Sequence, residues 1–346
     1  MLTKFSKPSD DIFFEHQELK NQNDAKLQEQ KRVSTLLLAE DSREACVFCG
    51  AKNKKKNAIF VHRNIDYFCC VNCGHVQTQN KTPKEYPFKY LKHGFEKIYD
   101  TGDAHVFNSR TQRIYQPKLE WIKCCFQEEL ELGIDELSEL KWLEVGCGAG
   151  FFIKALLDAG ISKVVGLDTN LTLVAAANKN CDKVSAKLSK NLHHDIVSES
   201  PNVVVAFFVL EHLESAERAA LWSALDNLAK GTIFIFSVPC VGFSTIFENS
   251  FDGFAARNLD NVIHTQLFTD RSISFMLDKL GYSLCGEWLF GQDGQDLLGN
   301  LATRSNKLLQ CGAIELNDFN SMIDNLQSVI DRSRMCDARH IFCIKN

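Results

Sequence analysis

The sequence predicts an α/β protein built on a doubly wound, mostly parallel seven-stranded sheet, preceded by a small four-cysteine module. Three observations carry this reading. From Lys141 onward, short apolar runs alternate with helical patterns, as a parallel sheet covered by helices requires. A strand-like run, Lys141-Trp-Leu-Glu-Val145, breaks into Gly146-Cys-Gly-Ala-Gly150 and continues as an apolar helix from Phe151 to Ala159. Two Cys-x-x-Cys pairs, Cys46/Cys49 and Cys70/Cys73, stand 20 residues apart.

Taken in order, residues 1–45 are polar and charged and read as a partly helical arm, with Ile12, Phe13 and Phe14 free to dock elsewhere. Residues 46–80 hold the cysteine pairs. Each pair is followed by a glycine, Gly50 or Gly74, as a tight knuckle turning its amides toward thiolates needs. Ala58–His62 and Tyr67-Phe68 supply short strands between the knuckles, so the module reads as a zinc ribbon whose Zn²⁺ is held by Cys46, Cys49, Cys70 and Cys73. Cys69 is the spare, since only Cys70 has the two-residue gap to Cys73. Lys54-Lys55-Lys56 reads as a solvated turn between the knuckles.

Residues 81–140 form a helical connector rich in aromatics; Ile114, Leu119, Ile122 and Phe126 recur on one helical side, and Tyr86, Tyr90 and His93 are substrate-contact candidates. Residues 141–346 form the α/β domain. Strands are expected near 141–145, 163–167, 182–186, 203–208, 232–238, 282–290 and 339–344, and helices near 150–159, 170–179, 214–229, 269–280 and 314–333. Val203-Val-Val-Ala-Phe-Phe-Val-Leu210 is the uninterrupted apolar run of a strand buried on both faces. Pro239–Phe268 lacks periodicity and reads as a substrate-side lid containing His264. Gly291-Gln-Asp-Gly-Gln-Asp296 either binds substrate hydroxyls at the same sheet edge or caps the next helix.

The glycines of the first turn lack the Cβ that would keep a ligand off the backbone at a helix N-terminus. Asp168 ends the second strand, about 20 positions on, where folds of this kind hold a ribose diol. With Val209-Leu-Glu-His-Leu213 after the fourth strand, these residues resemble the class I S-adenosylmethionine-dependent methyltransferases, whose fold is Rossmann-like. The resemblance spans about residues 141–346 and departs from the family at Pro201-Asn202, where Phe-Asp is common. It implies that Glu144, Gly146, Gly148, Gly150 and Asp168 bind S-adenosylmethionine. Asp195 is a candidate for the adenine, and Cys147 reads as a small filler of the turn.

His212, just past the fourth strand, is the candidate catalytic base, and a structural histidine at the head of the next helix is the alternative. The Leu-Glu-His form and a net charge of -5 favour a small-molecule acceptor over nucleic acid. Resemblance in architecture to zinc-bearing sugar-nucleotide methyltransferases points to a sugar or surface-polysaccharide precursor. An RNA methyltransferase gripping its substrate with the zinc module, and a cofactor-binding interaction protein without turnover, are the alternatives. No run reaches 18 apolar residues, and Met1–Lys20 has no apolar signal core, so a cytoplasmic protein without a membrane span is expected. Fourteen cysteines in such a chain read as zinc ligands and small buried hydrophobes rather than disulfides.

Overall fold

The computed structural model describes residues 1–7, 23–52, 58–83, 103–181, 185–261, 264–304 and 316–346. Ile12, Phe13, Phe14, Lys54–Lys56, Tyr86, Tyr90 and His93 lie outside the described residues. Among those described, no helix is long and apolar enough to cross a membrane.

The chain opens with β1 (Leu2–Phe5) and α1 (Asn23–Leu38). The cysteine module then forms an antiparallel ribbon of β2 (Phe60–His62), β3 (Ile65–Cys69) and β4 (Val76–Thr78). The connector becomes α2 (Ala104–Arg110), a π-helical stretch (Thr111–Tyr115) and α3 (Gln116–Leu130), with Asp103 capping α2 through the His105 amide. A short α4 (Ile134–Glu139) leads into the alternation of β5 (Trp142–Val145), α5 (Phe151–Asp158), β6 (Val164–Asp168), α6 (Leu171–Asn180) and β7 (Ser185–Leu188). Next come α7 (Leu192–Glu199), β8 (Val203–Phe207), α8 (Ser215–Asn227), β9 (Ile233–Pro239) and α9 (Phe243–Ser250). The remainder is β10 (Gln266–Leu267), α10 (Asp270–Leu280), β11 (Tyr282–Phe290), α11 (Asp293–Arg304), α12 (Leu316–Arg332) and β12 (Ala338–Lys345).

The main sheet runs β1-β11-β12-β9-β8-β5-β6-β7. Strands β7, β6, β5, β8 and β9 are mutually parallel, while β12 is antiparallel to both neighbours. Alternation along β8 shows why the sheet needs cover on both sides. Val203 and Val205 pack with Ile122, Phe126, Phe152 and Leu156 on one face. Val204 and Ala206 pack with Leu221, Trp222, Met276 and Leu277 on the other.

Three features differ from the sequence reading. The sheet has an eighth strand rather than seven, because Leu2–Phe5 pairs in parallel with Gly286–Leu289 at the open edge. Pro239–Phe268 is not wholly irregular: it contains α9, and its end, β10, joins the ribbon as a fourth strand beside β4. Leu192–Glu199, absent from the expected helices, is helical, with Asn191 accepting from the His194 amide at its head.

Candidate functional site

A cavity of about 950 Å³ opens at the carboxyl ends of β5, β6 and β8, where the strand order reverses across β5. Its floor is the glycine turn after β5. Gly146, Gly148 and Gly150 all adopt left-handed φ, at 71°, 53° and 88°. At Gly146 a Cβ would also stand 2.5 Å from Val209 Cγ2, so conformation and space both demand glycine. The turn is pinned to β6: the Gly146 and Cys147 amides donate to the Leu167 carbonyl at 2.7 and 3.0 Å. The Gly148 amide donates to Asp168 Oδ2 at 2.9 Å and the Asn170 amide to Oδ1 at 2.8 Å. Asp168 is thereby oriented in the cavity wall with one further lone pair on each oxygen.

Glu144 also lines the cavity. It is buried, which pushes its carboxyl well above the usual range, and Oε2 has no hydrogen-bond partner among the described residues. Beside it lies Lys118 from α3, buried over the rings of Tyr115 and Phe207, each 4.7 Å away, with its pKa brought down to about 7 by burial. Lys7 and Arg110 reach the same cavity, and their charges depress Lys118 further. The sequence reading missed all three. For Lys118 a signal existed: it shares a helical face with Ile122 and Cys125, both fully buried. Lys7 carried none, because β1 is recruited from the far end of the chain.

Cys147 lies in the cavity wall, but burial raises its thiol and its sulfur fills the space beside Gly166, as a packing residue does. Asp195 is not among the lining residues. Its Oδ2 accepts from Ser189 Oγ at 2.8 Å and from the Lys190 and Asn191 amides at 3.2 Å, shaping the loop that reaches the cavity through Ser189, Lys190 and Asn191.

Opposite the glycine turn, β8 ends at Phe207, and Phe208 takes φ 54°, an unusual left-handed turn for a bulky residue. The 3₁₀ turn Leu210–His212 follows. It buries Glu211 completely and leaves the His212 side chain 37% exposed at the cavity. Desolvation raises Glu211 to about 8. His264 comes in from the segment after β9; its Nδ1 donates to the Arg257 carbonyl at 3.0 Å, and its ring lies 5.9 Å from that of His212. The Gln-Asp pairs divide: Gln292 lines the cavity, whereas Asp293 accepts from Ser244 and Gln327, and Asp296 pairs with Arg257. Both aspartates sit at the head of α11 and anchor it, so they are not free for substrate hydroxyls.

The ribbon brings Cys46, Cys49, Cys70 and Cys73 together, one sulfur each within 4.8 Å of the others. Cys46–Cys73 and Cys49–Cys70 sulfurs are 3.7 Å apart. A tetrahedral ion with bonds of about 2.3 Å needs edges of about 3.8 Å, so the set fits zinc. Cys46 falls to about 5, chiefly through its hydrogen bond with Cys73. Cys69 lies outside the set, its sulfur 3.4 Å from the Gly74 carbonyl. The knuckle packs tightly on the α/β body: a Cβ on Gly74 would stand 2.8 Å from Arg271 Cβ. Phe48 stacks on His75 at 4.5 Å and meets Trp222 edge-on. The buried Arg218 donates to the carbonyls of Val47, Leu210 and Leu213 and to Gln266, so one side chain joins knuckle, 3₁₀ turn and β10.

Residues 117–285 match a family model described as a methyltransferase domain. Similar solved structures include a SAM-dependent methyltransferase from Archaeoglobus fulgidus, at 15% identity, covering 74% of this chain and 100% of that one with a TM-score of 0.42. Another is the methyltransferase domain of bacterial CtHen1, at 14% identity, 64% and 99% coverage and a TM-score of 0.40. No curated protein matches the sequence significantly. The family match covers just under half of the chain and, with the glycine turn on this sheet, marks an S-adenosylmethionine-dependent methyltransferase domain. That domain makes the chain a methyl-transferring enzyme.

Proposed function

We propose that the protein methylates a small-molecule acceptor in the cytoplasm, a sugar or surface-polysaccharide precursor such as a sugar nucleotide. The observation that carries this reading is the single cavity shared by the glycine turn, Asp168 and His212. A volume of about 950 Å³ suits a cofactor plus a compact acceptor. The acidic balance of -5 disfavours a polyanionic partner such as RNA.

In this reading Gly146 and Gly148 leave bare backbone against S-adenosylmethionine, Gly150, which does not line the cavity, lets the turn pack on Ala177 and Cys181, and Asp168 accepts the ribose hydroxyls. Glu144 and Lys118 lie side by side in the cavity, where burial disfavours the charge of each, and a bound amino-acid moiety would supply the missing counter-charges, its ammonium to Glu144 and its carboxylate to Lys118. When bound, S-adenosylmethionine supplies an electrophilic methyl on sulfur. The methyl would pass to the acceptor's lone pair with sulfur keeping the electrons of the broken bond, and His212 would take the acceptor's proton. The cysteine set holds Zn²⁺, which fixes the ribbon; through the β4–β10 pairing the ribbon fixes the segment that carries His264.

The test is incubation with methyl-labelled S-adenosylmethionine against a panel of sugar nucleotides and, in parallel, total RNA. Label is expected in a sugar nucleotide, and His212→Ala should reduce its transfer about 10²–10⁴-fold, the usual contribution of a positioned base. Label entering RNA alone would refute the proposed acceptor class.

A further inference from the structure

We propose that Glu211, His212 and His264 form a divalent-cation site in the cavity wall, separate from the cysteine set, and that two adjacent acceptor oxygens complete its coordination. The proposal rests on the methyl-transfer reading and gives the acceptor a chemical signature, a vicinal diol or similar oxygen chelate.

Four features of the site support it. One ligand atom from each of the three side chains lies within 4.8 Å of the other two, and Glu211 Oε1 is 3.8 Å from His212 Nε2. Bonds of about 2.1 Å around one ion span at most about 4.2 Å, so closure asks for side-chain shifts of under about 1 Å. Glu211 has 0% exposure and neither carboxylate oxygen has a hydrogen-bond partner among the described residues. A buried carboxylate without hydrogen bonds is costly unless something cationic faces it; the charge of Arg218 offsets part of that cost, and the cavity side holds two imidazoles that a cation could join to it. His264 is already oriented: a carbonyl can only accept, so Nδ1–H donates to Arg257 and Nε2 keeps its lone pair for a metal. This is the outer hydrogen bond by which proteins fix metal-binding histidines. Finally, His212 is half-exposed and both histidines line the cavity, so the remaining coordination positions open toward the acceptor.

One carboxylate and two imidazoles with open positions is a donor set for a first-row divalent cation such as Mn²⁺. A hydroxyl bound to the cation would lose its proton more readily, the proton passing to cavity water, and the resulting oxygen would form the bond to the methyl carbon as the carbon–sulfur bond breaks with its electron pair left on sulfur. With the cation bound, His212 acts on the acceptor's proton through the metal in place of taking it directly as proposed above, since its Nε2 lone pair cannot hold both metal and proton.

The experiment uses the full chain with its thiolate-bound zinc retained and weakly held metal removed by chelator. Mn²⁺ is titrated and followed by the loss of the free-ion electron paramagnetic resonance signal, and S-adenosylmethionine affinity is measured calorimetrically on the same samples. The expected result is one Mn²⁺ per chain, weakened at least tenfold in Glu211→Gln and in His264→Asn, with cofactor affinity unchanged. His264→Asn comes from a half-buried position and keeps the proposal testable where Glu211→Gln fails to fold. Absence of Mn²⁺ and Zn²⁺ binding beyond the ribbon, equal binding in a folded variant, or full methyl transfer in chelator would overturn the site. Loss of cofactor binding in the wild type would instead overturn the methyl-transfer reading.

Discussion

Asp168 offers the sharpest test of how the cofactor is held. Two backbone donors already use it, Gly148 at 2.9 Å and Asn170 at 2.8 Å, one per oxygen. A carboxylate satisfies both and still accepts two ribose hydroxyls. Each charge-assisted bond contributes about 1.5–3 kcal/mol, so Asp168→Ala removes about 3–6 kcal/mol from the complex. At about 1.4 kcal/mol per decade that is roughly a 10²–10⁴-fold rise in dissociation constant. Asp168→Asn is not benign: whichever way its amide sits, the NH₂ faces one of the two backbone N–H groups. It retains one neutral acceptor toward the ribose, contributing about 1 kcal/mol, and should fall between wild type and alanine. Calorimetry with S-adenosylhomocysteine and with its 2′,3′-dideoxy analogue reads the effect. The analogue should bind wild type and Asp168→Ala about equally. A change below threefold for the natural ligand would refute the role of Asp168. An equal loss for both ligands would show that the substitution deforms the glycine turn instead.

Two further predictions follow from buried groups. Purified protein should carry about one zinc per chain; Cys70→Ser should release it while Cys69→Ser retains it, and metal analysis giving the reverse would exchange the two ligands. Lys118 has its pKa lowered from 10.5 to about 7, so between those values the unfolded chain binds the proton and the folded chain does not. Stability of the cofactor-free protein should therefore gain a contribution that rises with pH from about 7 to about 10.5 and is flat outside that window. Lys118→Met should remove that slope in urea unfolding at pH 7, 8 and 9; an unchanged slope would mean the ammonium is solvated.

What the sequence disclosed, and what it withheld, follows from the distance over which each feature is determined. The glycine turn, Asp168 and the cysteine knuckles are local: a φ above zero or a two-residue gap between thiols leaves its mark in adjacent letters. Glu211-His212 is also local, because the buried strand ends where its apolar run ends. Lys118 was legible only in part, since a helical face shows that it is buried but not that Glu144 and two aromatic rings meet it. The Gln-Asp pairs were ambiguous because the same carboxylate can cap a helix or bind a hydroxyl, and Ser244 and Arg257, which decide the matter, lie far off in the chain. The strand Leu2–Phe5 is too short and polar to announce itself, and only the open edge of β11 makes it a strand.

That terminal strand has a consequence for how the molecule is assembled. Trp288 Nε1 donates to the Ser6 carbonyl across 282 positions of chain. Closing a loop of that length costs roughly 3 kcal/mol more than closing one of about 10 residues. Leu2–Phe5, made long before its partner, therefore docks only after β11 has been synthesised. Until then β11 presents an unpaired edge, open to pairing with a neighbouring chain. Lys7 reaches the cavity only once the strand has docked, so assembly of the active cavity and protection of the sheet edge are completed by one event.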